Sequence, residues 1–147
     1  MQTITPFLWF ENQAEEAMNF YTSVFKDSKV INSMPGPDGK IMTATFELNG
    51  QRFMVLNAGP QFKFTEAISF FVSCETQEEV DYYWEKLSEG GEIQQCGWLK
   101  DKFGLSWQII PNALGELLGD PDPAKAQRVM QAMLGMKKID IKGLEQA

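Results

Sequence analysis

"NQAEEAMNFYTSVF", residues 12–25, predicts the helix on which the fold depends, because its apolar residues recur at spacings of three and four along one face. Asn12 is the expected N-cap of this helix. The same pattern returns in "TQEEVDYYWEKL", residues 76–87, where Thr76 and Glu79 form a capping box. One helix with its flanking strands is therefore predicted twice.

The two copies align at an offset of 63 residues, which places Ala17 on Val80 and Leu8 on Phe71. Agreement in spacing, length and capping indicates an internal repeat, and such a repeat decides the architecture. The alternative is that any two strand-helix units resemble each other to this extent. The repeat is the interpretation that we adopt.

Strand patterns surround both predicted helices. Those of the first copy are residues 3–10, 28–34, 41–48 and 51–57. Pro6 indicates that the first of them lies at a sheet edge or contains a bulge, and Asn49-Gly50 is a hairpin signal between the last two. Those of the second copy are residues 67–73, 92–99 and 105–110. The predicted order is β-α-β-β-β in each copy, although the pattern does not separate the middle strands of the second.

The predicted fold class is α+β, in which two β-α-β-β-β modules form a curled mixed-sheet cup and C-terminal helices follow. Residues 1–147 are expected to form a single domain. Its parts are module one at 3–58, a linker at 59–66, module two at 67–110 and a helical tail at 111–147. The two sheets are expected to pair about a pseudo-twofold axis, and a small ligand would occupy the cup between them.

Composition excludes several classes of function. A formal charge of −7 argues against a nucleic-acid partner, which needs a basic surface, and is compatible with a cationic ligand. No stretch approaches the roughly 20 apolar residues of a membrane span. The N-terminal residues 1–10 have no basic region ahead of their apolar residues, so we expect a cytoplasmic protein.

The chain contains two cysteines and no histidine. Cys74 and Cys96 stand in unrelated contexts, which is typical of reduced, buried thiols rather than of a disulfide or a metal pair. A catalytic role for Cys96 is the alternative. That role would need a base or a cation to lower the thiol pKa, and Lys100 is the nearest cation in sequence.

Three segments resemble a known family: "FLWFENQAEEAMNFYTSVFKDS" (7–28), "CGWLKDKFGLSWQIIP" (96–111) and "DPDPAKAQRVMQAML" (120–134). They resemble the PhnB-like branch of the vicinal oxygen chelate superfamily, which includes glyoxalase I, extradiol dioxygenases and bleomycin-resistance proteins. That branch is often labelled demethylubiquinone 3-methyltransferase-like. The resemblance covers essentially the whole chain and implies a glyoxalase-like domain that forms a homodimer.

The resemblance also implies where a metal would bind. The superfamily's metal enzymes use His and Glu on the first and last strands of each module, and these positions fall here near Pro6, Val55, Ser69 and Gln108. Proline and valine offer no ligand atom, and a neutral amide lacks the charge that holds a divalent cation. With no histidine in the chain, we expect these metal positions to be vacated and the protein to need no metal or cofactor.

The first functional hypothesis is a metal-free protein that binds an aromatic or cationic small molecule. Gln108 and Ser69 would line its pocket, or alternatively satisfy neighbouring backbone groups. The aromatic candidates for ligand stacking are Trp98, Trp9, Phe62 and Phe64. Packing in the core is the alternative for Trp9, and contact with a subunit partner is the alternative for the two phenylalanines.

Two enzymatic hypotheses stand beside this one, and no catalytic residue is assigned for either. The first is an enzyme of the methyltransferase-labelled type. S-adenosyl donors are usually held by a glycine-rich turn in a parallel α/β sheet, and the glycines of this chain fall in hairpin turns and at helix ends instead. The second is a divalent-metal-dependent lyase or dioxygenase, against which the replaced ligand positions argue.

Overall fold

The computed structural model describes residues 3–147, and the chain divides into two compact units, Met1–Lys63 and Phe64–Ala147. The first two residues belong to the segment from which a cytoplasmic location was expected, and they lie outside the described residues. Each unit contains one four-stranded mixed sheet, so the predicted α+β class with two modules is confirmed. The predicted cup between two paired sheets stays a prediction.

The first unit contains β1 (Phe7–Phe10), α1 (Ala14–Val24), β2 (Ser28–Pro35), β3 (Ile41–Leu48) and β4 (Gln51–Asn57). The strand order is β1-β4-β3-β2, in which β1 pairs parallel with β4 and the other pairs are antiparallel. The strand β1 is therefore a sheet edge, as Pro6 just before it indicates.

The helix α1 covers one face of this sheet. The ring of Phe46 stacks on Tyr21 of the helix at 6.3 Å and on Phe53 of the neighbouring strand at 5.5 Å between centroids. The predicted N-cap at Asn12 is wrong. The helix begins at Ala14, whose amide N–H donates to Asn57 Oδ1 at 2.9 Å, so a side chain from β4 satisfies this helix end.

The second unit contains β5 (Ser69–Cys74), α2 (Gln77–Ser88), β6 (Glu92–Ile93), β7 (Trp98–Lys100) and β8 (Ser106–Pro111), with strand order β5-β8-β7-β6. The predicted cap of α2 is confirmed, since Thr76 Oγ1 accepts a hydrogen bond from the Glu79 amide. The single strand predicted over residues 92–99 is wrong, because it is two short strands joined by a turn.

That turn requires a glycine. Cys96 and Gly97 have φ values of 59° and 83°, in the left-handed region. A Cβ on Gly97 would lie 2.7 Å from Ile110 Cδ1 and 3.0 Å from the Ile109 carbonyl oxygen. Only a residue without a side chain fits there, and the turn gives the second unit the same β-α-β-β-β order as the first.

One face of the second sheet packs against α2. Phe70 and Trp107 lie side by side on β5 and β8 with 5.6 Å between ring centroids, and Trp107 is buried. The indole Nε1–H of Trp107 donates to Oδ2 of the buried Asp101 at 2.9 Å. Because side chains alternate along a strand, the residues next to Phe70 on β5 and next to Trp107 on β8 face the opposite, open side of the sheet.

The tail adds three helices, α3 (Asn112–Leu118), α4 (Pro123–Leu134) and α5 (Ile141–Glu145). These helices and β8 form one apolar cluster. The buried residues of the cluster are Ile110, Leu114, Val129, Ile139 and Leu144. The tail is also joined to the sheet, because Cys96 N donates to the Met136 carbonyl and Gly97 N to the Lys137 carbonyl, each at 2.8 Å. No helix of residues 3–147 is long and apolar enough to cross a membrane.

Candidate functional site

The open face of the second sheet carries a row of three side chains. Gln108 of β8 is paired in register with Phe71 of β5 on one side and with Trp98 of β7 on the other. Paired residues in adjacent strands point to the same face, so an amide stands between two aromatic side chains. Phe71 is 59% exposed, which is unusual for a phenylalanine in the middle of a strand.

This row is one wall of a cavity of about 450 Å³. Cys96, Ile110 and Pro111 extend the wall on the sheet side. The volume lies in the range of small-molecule sites, roughly 300–1,000 Å³. An apolar surface with a central amide can bury a ligand and still orient it through a hydrogen bond.

The tail helices form the other wall. Its residues are Asn112, Leu114, Gly115 and Leu118 of α3 and Met133 of α4. None of the described lining residues, from sheet or tail, carries a charge. The polar groups among them are two amides, one thiol and the indole N–H of Trp98, so the cavity suits an uncharged ligand better than an ion.

Gln108 and Ser69 are brought together, as the prediction requires. Gln108 Nε2 donates to Ser69 Oγ at 2.9 Å. This bond uses one amide N–H and positions the side chain. The second N–H and the carbonyl oxygen remain for a ligand.

A second polar row lies two residues away along β8. Ser106 is paired in register with Ser69 and with Lys100, and its hydroxyl is buried without a hydrogen-bond partner among residues 3–147. Lys100 Nζ contacts Glu66 Oε2 at 3.1 Å, and this hydrogen bond lowers the pKa of Glu66. The charges of Lys100 and Glu66 balance each other beside this row.

The four positions implied for a metal do not fit one. Val55 is fully buried on the face covered by α1, because it is paired with the buried Leu8. Pro6 has no side-chain donor atom, and Ser69 and Gln108 offer only a hydroxyl and an amide that bond each other. Among residues 3–147, no group of three or more Cys, Asp or Glu side chains comes together in a way that could hold a metal ion.

The remaining aromatic candidates lie elsewhere. Trp9 is half-buried in the first unit, where its Nε1–H donates to the Gly59 carbonyl at 2.9 Å and its ring contacts Phe62 edge-on at 4.9 Å. Phe62 is 65% exposed, and Phe64 is half-buried at the start of the second unit. Trp98 lines the cavity. A role in ligand binding for Trp9, Phe62 and Phe64 stays a prediction.

The two cysteines differ in their surroundings. Cys74 is buried, and burial raises the pKa of its thiol to about 12, so it is inert as a nucleophile. Cys96 is half-buried and lines the cavity. Both are free thiols.

A second cavity, of about 470 Å³, lies in the first unit beside the turn between β2 and β3. Its lining includes the exposed charged side chains of Glu11, Asp38 and Lys40. Exposed charges keep their water and give a ligand little to bury against. The cavity of the second unit is the better candidate site.

The tail residues of the site were not predicted as site residues. The sequence "PNALGELL", residues 111–118, holds a helix of only two turns, and its apolar positions resemble an ordinary packed helix. The available signal was Gly115, a glycine in the middle of a helical pattern. A glycine in the middle of a helix indicates a packing or functional role.

Residues 2–110 match the family model described as 3-demethylubiquinone-9 3-methyltransferase. The solved PhnB protein from Bacillus cereus is 42% identical with a TM-score of 0.71, and the match covers 75% of this chain and 99% of that one. No curated protein matches.

Two more distant structures are similar in fold alone. A protein from Pseudomonas aeruginosa is 19% identical with a TM-score of 0.64, and the match covers 76% of this chain and 98% of that one. The fosfomycin resistance protein FosX from Listeria monocytogenes is 18% identical with a TM-score of 0.58, over 81% of this chain and 98% of that one.

Proposed function

The chain belongs to the family described as 3-demethylubiquinone-9 3-methyltransferase, and from that premise we propose that it is a metal-free small-molecule-binding protein. The observation that carries this proposal is the cavity of about 450 Å³ on the open face of the second sheet. Its walls are apolar and uncharged, and one fixed amide stands at the centre of the sheet wall.

The lining favours an aromatic ligand. Phe71 and Trp98 flank Gln108 in one row, so a ring lying on this row contacts two aromatic side chains while its polar substituent reaches the amide. A cationic ligand, the other class expected from the sequence, could stack on Trp98 but would find no carboxylate among the described lining residues. An uncharged aromatic molecule is therefore the class that we propose.

The proposal of a metal-free site is supported by the chemistry of the side chains at the four implied positions. A metal-dependent lyase or dioxygenase would need several of them as ligands, and only a hydroxyl and an amide are present. Titration with Mn²⁺, Ni²⁺ and Zn²⁺ tests this. Stoichiometric binding that is lost in Gln108→Ala would refute it.

Methyl transfer is the second candidate, and the description of the matched family favours it. A methyltransferase would bind S-adenosylmethionine as well as its acceptor. Thermal stabilisation by S-adenosylmethionine, with methyl transfer to a demethylated quinone, would establish this candidate in place of the first. A quinone that stabilises the protein in the absence of a methyl donor would support binding alone.

We also propose a cytoplasmic homodimer. The edge strand β2 exposes Val30, Ile31 and Met34, and an apolar edge with unpaired backbone groups is a surface that a second copy could cover. The free thiols of both cysteines suit a reducing compartment. Sedimentation velocity of the wild type and of Met34→Lys tests the dimer, and cell fractionation tests the location.

The decisive experiment is a thermal-shift series with matched ligands. Uncharged 2-naphthol and 1,4-naphthoquinone should stabilise the wild type, whereas 2-naphthoate and benzyltrimethylammonium should not. A ligand at 100 times its Kd adds about 2.7 kcal/mol, which corresponds to roughly 5–10 °C for a domain of this size. Gln108→Ala should lose most of this shift, and Gln127→Ala, an exposed glutamine on α4, should keep it. Equal shifts in both variants would move the site elsewhere.

A further inference from the structure

Gly115 lies in the middle of α3, where the fold does not require a glycine. Its φ is outside the left-handed region. A Cβ built on it meets no heavy atom of residues 3–147 within 4 Å, apart from its chain neighbours and the backbone of its own helix. Gly97 is the contrast, since backbone and side-chain atoms there exclude any side chain. Glycine destabilises a helix interior relative to alanine, so Gly115 weakens α3 without a packing reason.

The position of Gly115 on the helix supplies a reason. Asn112, Gly115 and Leu118 are spaced by three residues and form one stripe of α3. All three line the cavity. A side chain at position 115 would therefore project into the cavity, between those of Asn112 and Leu118.

We infer that Gly115 determines ligand specificity, because the missing side chain leaves room for a ring of the ligand against the backbone of α3. This inference rests on the proposed function. One wall of the cavity is then the bare helix surface at Gly115, and the other is the row of Phe71, Gln108 and Trp98. Two such walls select a flat molecule.

The chemistry of the lining completes the ligand class. No charged side chain is found among the described lining residues, so an ionised ligand would be buried without a partner. The amides of Gln108 and Asn112 can each donate and accept a hydrogen bond. The ligand class assigned to this site is an uncharged fused-ring or biaryl molecule that carries a hydroxyl, amino or carbonyl group.

The test fills the space at position 115. Gly115→Leu places a branched side chain in the cavity, and Gly115→Ala adds one methyl group. Glu116→Leu adds the same leucine at the adjacent position, which is exposed as Gly115 is but does not line the cavity. Binding is followed by the fluorescence of N-phenyl-1-naphthylamine, a large uncharged probe, and by its displacement with 2-naphthol and phenol. Circular dichroism melts report folding.

The expected result is a dissociation between binding and stability. Gly115→Leu should weaken N-phenyl-1-naphthylamine at least tenfold and change phenol less than twofold, while its melting temperature equals or exceeds that of the wild type. Gly115→Ala should lie between wild type and Gly115→Leu, which keeps the test decisive even if the leucine variant folds poorly. Glu116→Leu should bind as the wild type does.

Two results would overturn the inference and leave the proposed function standing. The first is unchanged N-phenyl-1-naphthylamine affinity in both Gly115 variants, together with weakened binding in Gln108→Ala. The second is an equal loss of phenol and N-phenyl-1-naphthylamine affinity in Gly115→Leu, because position 115 would then not discriminate between ligands by size. If the wild type binds none of the uncharged probes, the proposed function itself fails.

Discussion

Gln77→Ala should loosen the tail that forms one wall of the cavity. Gln77 is the first residue of α2, and its side chain bonds the tail backbone with both ends of its amide. Nε2 donates to the Ile139 carbonyl at 3.0 Å, and Oε1 accepts from the Ile141 amide at 2.8 Å. Alanine removes both bonds and leaves two half-buried backbone groups without their partner.

The magnitude follows from these two bonds. Each net hydrogen bond contributes about 0.5–1.5 kcal/mol, so the free energy of unfolding should fall by about 1–3 kcal/mol. For a domain of this size that is a drop of roughly 2–12 °C in Tm. The helix propensity of alanine offsets only a few tenths of a kcal/mol at most, because glutamine is itself a good helix former.

Chemical denaturation of the wild type, Gln77→Ala and the control Gln127→Ala measures this loss, and ligand titration measures its effect on the cavity. Gln77 Nε2 also donates to Asp81 Oδ1, and this bond, more than the one from Lys138, holds the pKa of Asp81 below its usual value. NMR should therefore show this pKa rising in the variant. A change of less than 0.5 kcal/mol in unfolding free energy would show that the tail is held without Gln77, and the reasoning would be wrong.

Three further predictions concern stability, reactivity and pH. Asp101→Ala should lower the free energy of unfolding by about 3–5 kcal/mol, since the buried carboxylate accepts bonds from two backbone amides and one indole, and urea titration against Asp101→Asn checks it. Iodoacetamide at pH 8 should label Cys96 and spare Cys74 in the native protein, because the pKa of about 12 keeps the Cys74 thiol protonated. Both cysteines should react in urea. The folded pKa of Glu66 lies below 4.5, so its stabilising effect is present above pH 4.5 and is lost as the pH falls through the folded value. Lys100→Met should flatten this part of a stability-against-pH curve, and an unchanged slope would contradict it.

The helices could be predicted from sequence because their signals are local. The spacing of apolar residues and the cap at Thr76 depend on a dozen neighbouring residues, and both appear in the structure as expected. The cap predicted at Asn12 failed because a residue from β4, Asn57, does that work from 43 residues away. Local patterns do not contain such tertiary partners.

Which face of a sheet a residue lies on was harder to predict from sequence than the helices were. The helices do align at an offset of 63, since Ala17, Tyr21 and Val24 share burial with Val80, Trp84 and Leu87. The first strands of the two modules, β1 and β5, do not align at this odd offset. It pairs Leu8, which is buried under α1, with Phe71, which is exposed on the open face, so these strands need an even offset. A slip of one residue moves a side chain to the other face of a sheet, and the metal position expected near Val55 accordingly falls on a residue of the core.

The family model covers the sheet wall of the cavity but not the wall formed by the tail helices. The row of Phe71, Gln108 and Trp98 lies within residues 2–110, which the family model matches, but Gly115 and Met133 lie outside them. The PhnB protein from Bacillus cereus likewise covers only 75% of this chain, although 99% of its own length takes part. One wall of the cavity is thus common to the family match and the other is contributed by the tail. Ligand preference in this chain should therefore follow substitutions in α3 at least as strongly as substitutions on the sheet.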